Sequence, residues 1–168
     1  MTLSPCAAGL VVWCAATSAV AKPPAPTAVF NFGFDDTSLQ GEMQGPQAAE
    51  HRRLAALDVE LRDILTKSGC CRMMDLAAVA NQAQNIEPRT CNGCDVDLAR
   101  KAGARISVTG WVQKVSNLIL NINIVARDVT TGQVIGAGSV DIRGNTDESW
   151  SRGLAYLLRD RLHPSNWQ

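Results

Sequence analysis

Three runs of strict alternation between Ala104 and Arg143 constrain this chain more than any other feature. In Ala104–Lys114, Ile106, Val108, Gly110 and Val112 alternate with Ser107, Thr109, Trp111 and Gln113. In Leu118–Asp128, Leu120, Ile122, Ile124 and Ala126 alternate with Asn121, Asn123, Val125 and Arg127. A third run covers Val134–Arg143. A period of two sends successive side chains to opposite faces of a sheet, so each run is a strand with an apolar and a polar face. Ser116-Asn117 makes a tight turn between the first two. Thr130-Thr131-Gly132 makes the second, with Gly132 supplying positive φ. Three strands joined this way form a meander, and the apolar face needs a cover.

Helical periodicity supplies that cover. Over Gln47–Ser68, Leu54, Leu57, Leu61, Ile64 and Leu65 share one face, while Glu50, Arg53, Glu60, Arg62 and Asp63 lie largely elsewhere, and Gly69 stops the helix. The C-terminal helix starts at Asn145, with Glu148 as capping-box partner and Trp150, Leu154, Leu157, Leu158 and Leu162 as its apolar stripe. Between these lie a short strand at Cys70–Met74, a helix over Leu76–Asn85 capped by Asp75, a loop around Pro88 and a helix over Asp95–Ala102 that ends at Gly103. Ahead of them, Ala28–Phe34 alternates, with Phe30, Phe32 and Phe34 on one side and Asn31 and Gly33 on the other. Asp35–Pro46 reads as a polar loop. The order is β-α-β-α-α-β-β-β-α. It predicts a single α/β (α+β) domain over 28–168, built on a mixed five-stranded sheet with helices packed on one main face. A chain of 168 residues, 46% hydrophobic and 19% charged, suits one such core.

Residues 1–21 carry no charged side chain. An apolar run from about Ala7 to Ala16 is followed by Ala19-Val20-Ala21, the small-x-small shape of a signal-peptidase site. The run is shorter than a membrane span. No Lys or Arg precedes it, and a lipoprotein reading at Cys14 is opposed by the bulky Trp13 before it. The expectation is a cleaved export signal, a Pro-rich lead-in at 22–27, and a periplasmic product without a transmembrane segment. Intact-mass measurement of the secreted protein should therefore give a chain beginning at Lys22; recovery of Met1 in the mature protein contradicts it. Four cysteines then remain, Cys70, Cys71, Cys91 and Cys94, in an oxidising compartment.

Cys91-Asn92-Gly93-Cys94 is the sharpest motif. Its structural reading is a disulfide that clamps the loop before the helix. A thiol–disulfide active site also uses C-x-x-C at a helix N-terminus, but a loop, not a strand, leads into this one. Haem attachment requires His where Asp95 stands, and zinc requires two more ligands, for which Cys70 and Cys71 are neighbours on a strand. Alternation sends one of those two thiols inward and the other outward. Asp35, Asp36 and Glu42 are weak candidates for a hard cation such as calcium, without EF-hand spacing. Neither His51 nor His163 follows a nucleophile elbow, and the glycine motifs of nucleotide sites are absent. No catalytic residue and no cofactor are expected.

The remaining candidate is a surface. Trp111, Gln113, Asn121, Asn123, Arg127, Asp141 and Arg143, with Ser107, Thr109, Ser139 and Asn31, belong to one polar sheet face. An aromatic with amides and an Arg suits a protein partner. Sixteen basic residues balance sixteen acidic ones, so nothing in the net charge attracts nucleic acid or anionic lipid.

The stretches CNGCDVDLARKAGA (91–104), TGWVQKVSNLILNIN (109–123), RDVTTG (127–132) and GSVDIRGNTDESW (138–150) resemble a bacterial family of exported proteins known only as a domain of unknown function. The resemblance spans nearly all of the chain after residue 21. It implies a role beside quinoprotein (PQQ-dependent) alcohol or methanol dehydrogenases, near whose genes and other methylotrophy genes such proteins are often encoded. Cys70-Cys71 lies outside the resembling pattern. The element order also resembles the N-terminal α/β domain of TolB at the level of fold, which says little about function. The expected function is that of a non-enzymatic periplasmic accessory or binding protein. A small thiol–disulfide protein using Cys91 and Cys94 is the alternative, and a metal-binding carrier a weaker one.

Overall fold

The computed structural model describes residues 22–84, 86–87 and 90–167; the expected export segment lies outside them. In chain order the elements are β1 (Ala25–Val29), β2 (Gly33–Asp36), α1 (Leu39–Gln44), α2 (Ala48–Lys67) and β3 (Cys71–Met73), then a 3-10 turn (Ala77–Val79) leading into α3 (Ala80–Ala83) and α4 (Cys94–Lys101). The meander follows as β4 (Ile106–Ser116), β5 (Ile119–Asp128) and β6 (Val134–Arg143). Last comes α5 (Asp147–Tyr156), continued by a π-helical turn (Leu157–Leu162) and a closing 3-10 turn (Pro164–Trp167). The mixed sheet has the order β3-β1-β4-β5-β6, with β2 pairing with β4 beyond the end of β1. The pairs among β1, β2, β3 and β4 are parallel; β4–β5 and β5–β6 are antiparallel.

The meander has the expected register phase. Val108 faces Ala126, Val112 faces Ile122 and Ile122 faces Val140, all toward the core. α2 and α5 cover this face, burying Leu54, Leu57, Leu61 and Leu65 of one and Trp150 and Leu154 of the other. Gly136 and Gly138 of β6 lie beneath Trp167 and Leu157, where a Cβ would come within 2.5 and 2.9 Å of those side chains.

Three expectations of local structure are corrected. The predicted first strand is two strands, which raises the strand number from five to six. Val29 stands beside Val108, but Gly33 stands beside Trp111, so one extra residue is inserted between them. The insertion reverses the phase: Phe30 joins a second core cluster while Phe32 joins the main one, and Phe34 packs against the main one. Asp58 of α2 causes the break by accepting the Phe32 N–H at 2.7 Å, which takes that group out of the ladder. The Phe32 ring then lies over Gly110, where any Cβ would stand 2.5 Å from it. Second, the predicted loop 35–46 holds the end of β2 and the helix α1, whose N-cap Ser38 accepts from Gly41 N–H. Third, α5 starts after Thr146, and Ser149 rather than Glu148 completes its capping box.

Helices also occupy both faces. α4 buries Val96, Leu98 and Ala99 against Ala28, Phe30 and Val129 on the side away from α2 and α5. With the main face filled, the apolar residues of α4 are buried at the β1 end of the other.

A charged cluster sits inside the main core. Lys114 is 0% exposed, in phase with Val112, and Glu50 of α2 is 2% exposed. Lys114 Nζ lies 2.7 Å from Glu50 Oε1 and 3.1 Å from Asp36 Oδ2, and donates to Gln40 Oε1 at 2.9 Å. Burial opposes the Lys114 charge, but the Glu50 and Asp36 carboxylates outweigh it and hold the ammonium above the ordinary lysine range. Burial likewise opposes the Asp36 charge, yet hydrogen bonds from Ser38 and Lys114 hold that carboxyl below the usual value. Glu50 belongs to the 50-54-57-61-65 stripe, not to the solvated side where its charge alone placed it.

Candidate functional site

The polar face is an ordered grid. Trp111 is flanked by Gly33 of β2 and Asn123 of β5, and Asn123 by Ser139 of β6. The next row runs Asp35, Gln113, Asn121, Asp141. Asn121 donates to Asp141 Oδ1 at 2.7 Å and accepts from Ser139 Oγ at 2.9 Å. Arg143 stands at the rim opposite Ile119. Trp111, Gln113, Asn121, Asn123 and Arg127 are half-buried, and Asp141 and Arg143 exposed. Asn31 does not join them: its amide oxygen accepts from Arg62 of α2 at 2.8 Å. Ser107 is fully buried, donating to Asp95 Oδ2 at 2.7 Å beneath α4. Thr109 is 5% exposed at the boundary between the covered and open parts.

The two sharpest features of the sequence meet at that boundary. Cys91 and Cys94 are joined by a disulfide with Cα atoms 5.4 Å apart. The loop it closes places Asn92 and Gly93 at φ 47° and 96°, and α4 starts at Cys94. This loop and the sheet wall a cleft of about 420 Å³ lined by Cys91, Asn92, Gly93, Asp95, Thr109, Trp111, Val125 and Arg127. Arg127 leans over it, with Nε 3.9 Å from Asp95 Oδ2 and Nη1 donating to Gly132 O at 3.3 Å. The cleft therefore joins a half-buried indole, a guanidinium and the exposed amide of Asn92. Periodicity revealed the strand residues. It did not reveal Asp95, whose signal was only its place in the first turn of a helix following C-x-x-C.

The acidic candidates separate. Adjacent strand residues point to opposite faces, so Asp35 joins the polar row while Asp36 enters the core against Lys114; Glu42 is exposed on α1. Among the described residues no group of three or more His, Cys, Asp or Glu is placed to hold a metal. Cys70 and Cys71 are both buried, at 2% and 3% exposure, contrary to alternation, because Cys70 lies in the turn before β3. The Cys71 thiol donates to the Cys70 sulfur. This draws the Cys70 thiol down to about 6 against the effect of burial and, together with burial, pushes Cys71 up.

The disulfide loop is short, so the chain entropy it removes is small. Changing both Cys91 and Cys94 to Ser should cost less than about 2 kcal/mol in chemical denaturation and leave a folded domain. Loss of cooperative folding contradicts this reading.

A mixed sheet with two covering helices on one face and a partly open polar face on the other defines the class of domain. The chain belongs to the family DUF3280, described as protein of unknown function (DUF2380), which it matches over residues 25–162. No curated protein matches it in sequence. In fold it is similar to the LpoB C-terminal domain from Salmonella enterica, with 15% identity, a TM-score of 0.50, and coverage of 75% of this chain and 87% of that one. The LpoB C-terminal domain from Escherichia coli gives 16% identity, the same TM-score and the same coverage. The lipoprotein GNA1162 from Neisseria meningitidis gives 15% identity and a TM-score of 0.47 over 74% of this chain and 84% of that one. The expected fold-level likeness was to TolB; the likeness found is to LpoB.

Proposed function

We propose that this chain is a non-enzymatic accessory protein of the bacterial envelope, exported to the periplasm, that binds a protein partner through the open face of β4, β5 and β6. The observation carrying this reading is the cleft where Trp111 and Arg127 meet the Cys91–Cys94 loop. A half-buried Trp beside an Arg is the composition of an interface hot spot. The surrounding amides satisfy hydrogen bonds without adding charge, which suits a surface alternately wet and covered. The likeness to LpoB domains supports an envelope setting. Among the described residues no helix is long and apolar enough to cross a membrane. The family resemblance makes a quinoprotein alcohol or methanol dehydrogenase the first partner to assay.

Titration calorimetry of the exported protein against that dehydrogenase tests the reading. Trp111→Ala should weaken binding by about 2 kcal/mol or more, and Asn123→Asp should weaken it by placing a charge beside the indole, both with the fold retained. If both variants fold and bind as the wild type does, the face is not the interface. A second reading rests on the place of Cys94 at the N-terminus of α4, where thiol–disulfide enzymes carry their reactive pair. A reduction potential for Cys91–Cys94 within the range of exchange catalysts, about −120 to −270 mV, supports that alternative; a structural bond lies below about −300 mV.

A further inference from the structure

β3 is only three residues long, and its last partner on β1 is Thr27, opposite Met73. The Met74 N–H still donates to Thr27 O at 2.9 Å, and there the pairing stops. The next carbonyl on that edge of β1, Val29 O, accepts instead from Arg62 Nη2 of α2 at 2.8 Å. The chain leaves the two strand ends in opposite directions. From β1 it reaches β3 through α2, which packs on the main face. From β3 it reaches β4 through the Val79 turn and α4, which join the second cluster on the other face. In an open sheet such a divergence opens a crevice outside the carboxyl ends of parallel strands, where ligands bind. Here it holds a cavity of about 380 Å³.

Buried Val29 and Phe30, with half-buried Met74, Leu76 and Ala83, give the cavity an apolar wall. Arg62 stands half-buried in it and donates to three uncharged oxygens, Asp58 O, Val29 O and Asn31 Oδ1, each at 2.8 Å. A guanidinium has five N–H donors, so two remain among the described residues, together with the positive charge. The Asp58 carboxylate, one turn before Arg62, accepts the Phe32 N–H at 2.7 Å. Asp75 is the one acid in the lining; it is exposed, its Oδ1 accepts from Ala77 N–H at 2.9 Å, and its charge opposes a second negative group on an occupant. We infer that this cavity binds a small organic monocarboxylate, with the carboxylate on Arg62 and a short apolar body against Phe30, Leu76 and Ala83. The guanidinium matches a carboxylate in charge and in donor geometry. The volume lies near the lower end of the roughly 300–1,000 Å³ of ligand pockets, which suits a short body and not a long acyl chain. The cavity shares no lining residue with the cleft at Trp111, so this binding stands apart from the proposed partner face.

The full chain, labelled with nitrogen-15, is titrated with pentanoate and followed by amide NMR. Saturable shifts are expected at Val29–Asn31, at Leu76–Ala83 and at the Arg62 Nε–H, and none at the Trp111 indole N–H. Pentanol keeps the body without the charge and acetate keeps the charge without the body; each should bind about 10-fold more weakly or worse. Arg62→Gln should weaken pentanoate by at least about 10-fold, the worth of a charge-assisted hydrogen bond. Ala83→Leu leaves Arg62 and its bond to Val29 in place, fills the cavity and should abolish the shifts. Absence of saturable shifts in the wild type, acetate or inorganic phosphate binding as tightly as pentanoate, or wild-type affinity in A83L each overturns the inference.

Discussion

Lys114→Ala is expected to lower the stability of the domain by about 3–5 kcal/mol, the cost of leaving a buried charge without its partner. The alanine removes the cation facing Glu50 and Asp36, whose side chains are 2% and 13% exposed. Glu50 has little to fall back on. Its Oε1 keeps only the Asn145 amide at 2.7 Å, and its Oε2 has no hydrogen bond among the described residues. The paired change K114M with E50Q should recover part of the loss, since replacing a buried ion pair together is far cheaper than breaking it. The cluster also carries a pH signature. The Lys114 contribution is fully present below the ordinary lysine pKa and is lost as pH rises through its raised folded value. The Asp36 contribution is present above the ordinary carboxylate value of 3.8 and is lost as pH falls through its lowered one. Wild-type stability should therefore fall at both extremes, and the alkaline fall should shrink in K114A. Urea unfolding across pH measures both effects. A K114A variant as stable as the wild type would mean that the core does not hold this charge.

The second large effect separates two tryptophans. Trp150→Ala should cost about 3–5 kcal/mol, as expected for deleting a buried Trp. Trp150 is 1% exposed and stacks obliquely on Phe34 with ring centroids 6.1 Å apart. Its indole N–H donates to Asn145 Oδ1 at 3.0 Å, and Asn145 in turn donates to Glu50, so the deletion also loosens the charged cluster. Trp111→Ala should cost far less stability, because one side of that ring already faces the open cleft. Thermal unfolding of the two variants side by side tests the assignment of faces. If Trp111→Ala unfolds the domain as Trp150→Ala does, the indole belongs to the core and the binding surface lies elsewhere.

Much of this was legible because it is local. Alternation from Ile106 to Ala126 set the strand phase, and phase alone places Trp111, Asn121, Asn123 and Arg127 on one face. The leucine stripe of α2 and the Trp150-to-Leu162 stripe followed from helical spacing in the same way. The Glu50–Lys114 pair was half legible. Each residue lies in the buried phase of its element, and two opposite charges in buried phases are a signal of pairing, but nothing local says that α2 crosses the end of β4. The break in the first strand was not legible. Phe30, Phe32 and Phe34 alternate perfectly in sequence, and only Asp58, 26 residues away, takes the Phe32 N–H and shifts the phase.

Local residue pattern sufficed for α2, α5, the β4–β6 meander with its hairpins and its polar and apolar faces, and the closeness of Cys91 to Cys94, because each depends on residues within a few positions of one another. Tertiary structure alone decided which face received α4. That choice depends on where apolar area remains unburied once α2 and α5 have covered the main face, a property of the assembled sheet. It covers Ser107 and leaves Trp111 half open, and it carries the disulfide loop to the edge of the polar face. The candidate site exists because those two local features were brought together by the packing of a third element between them.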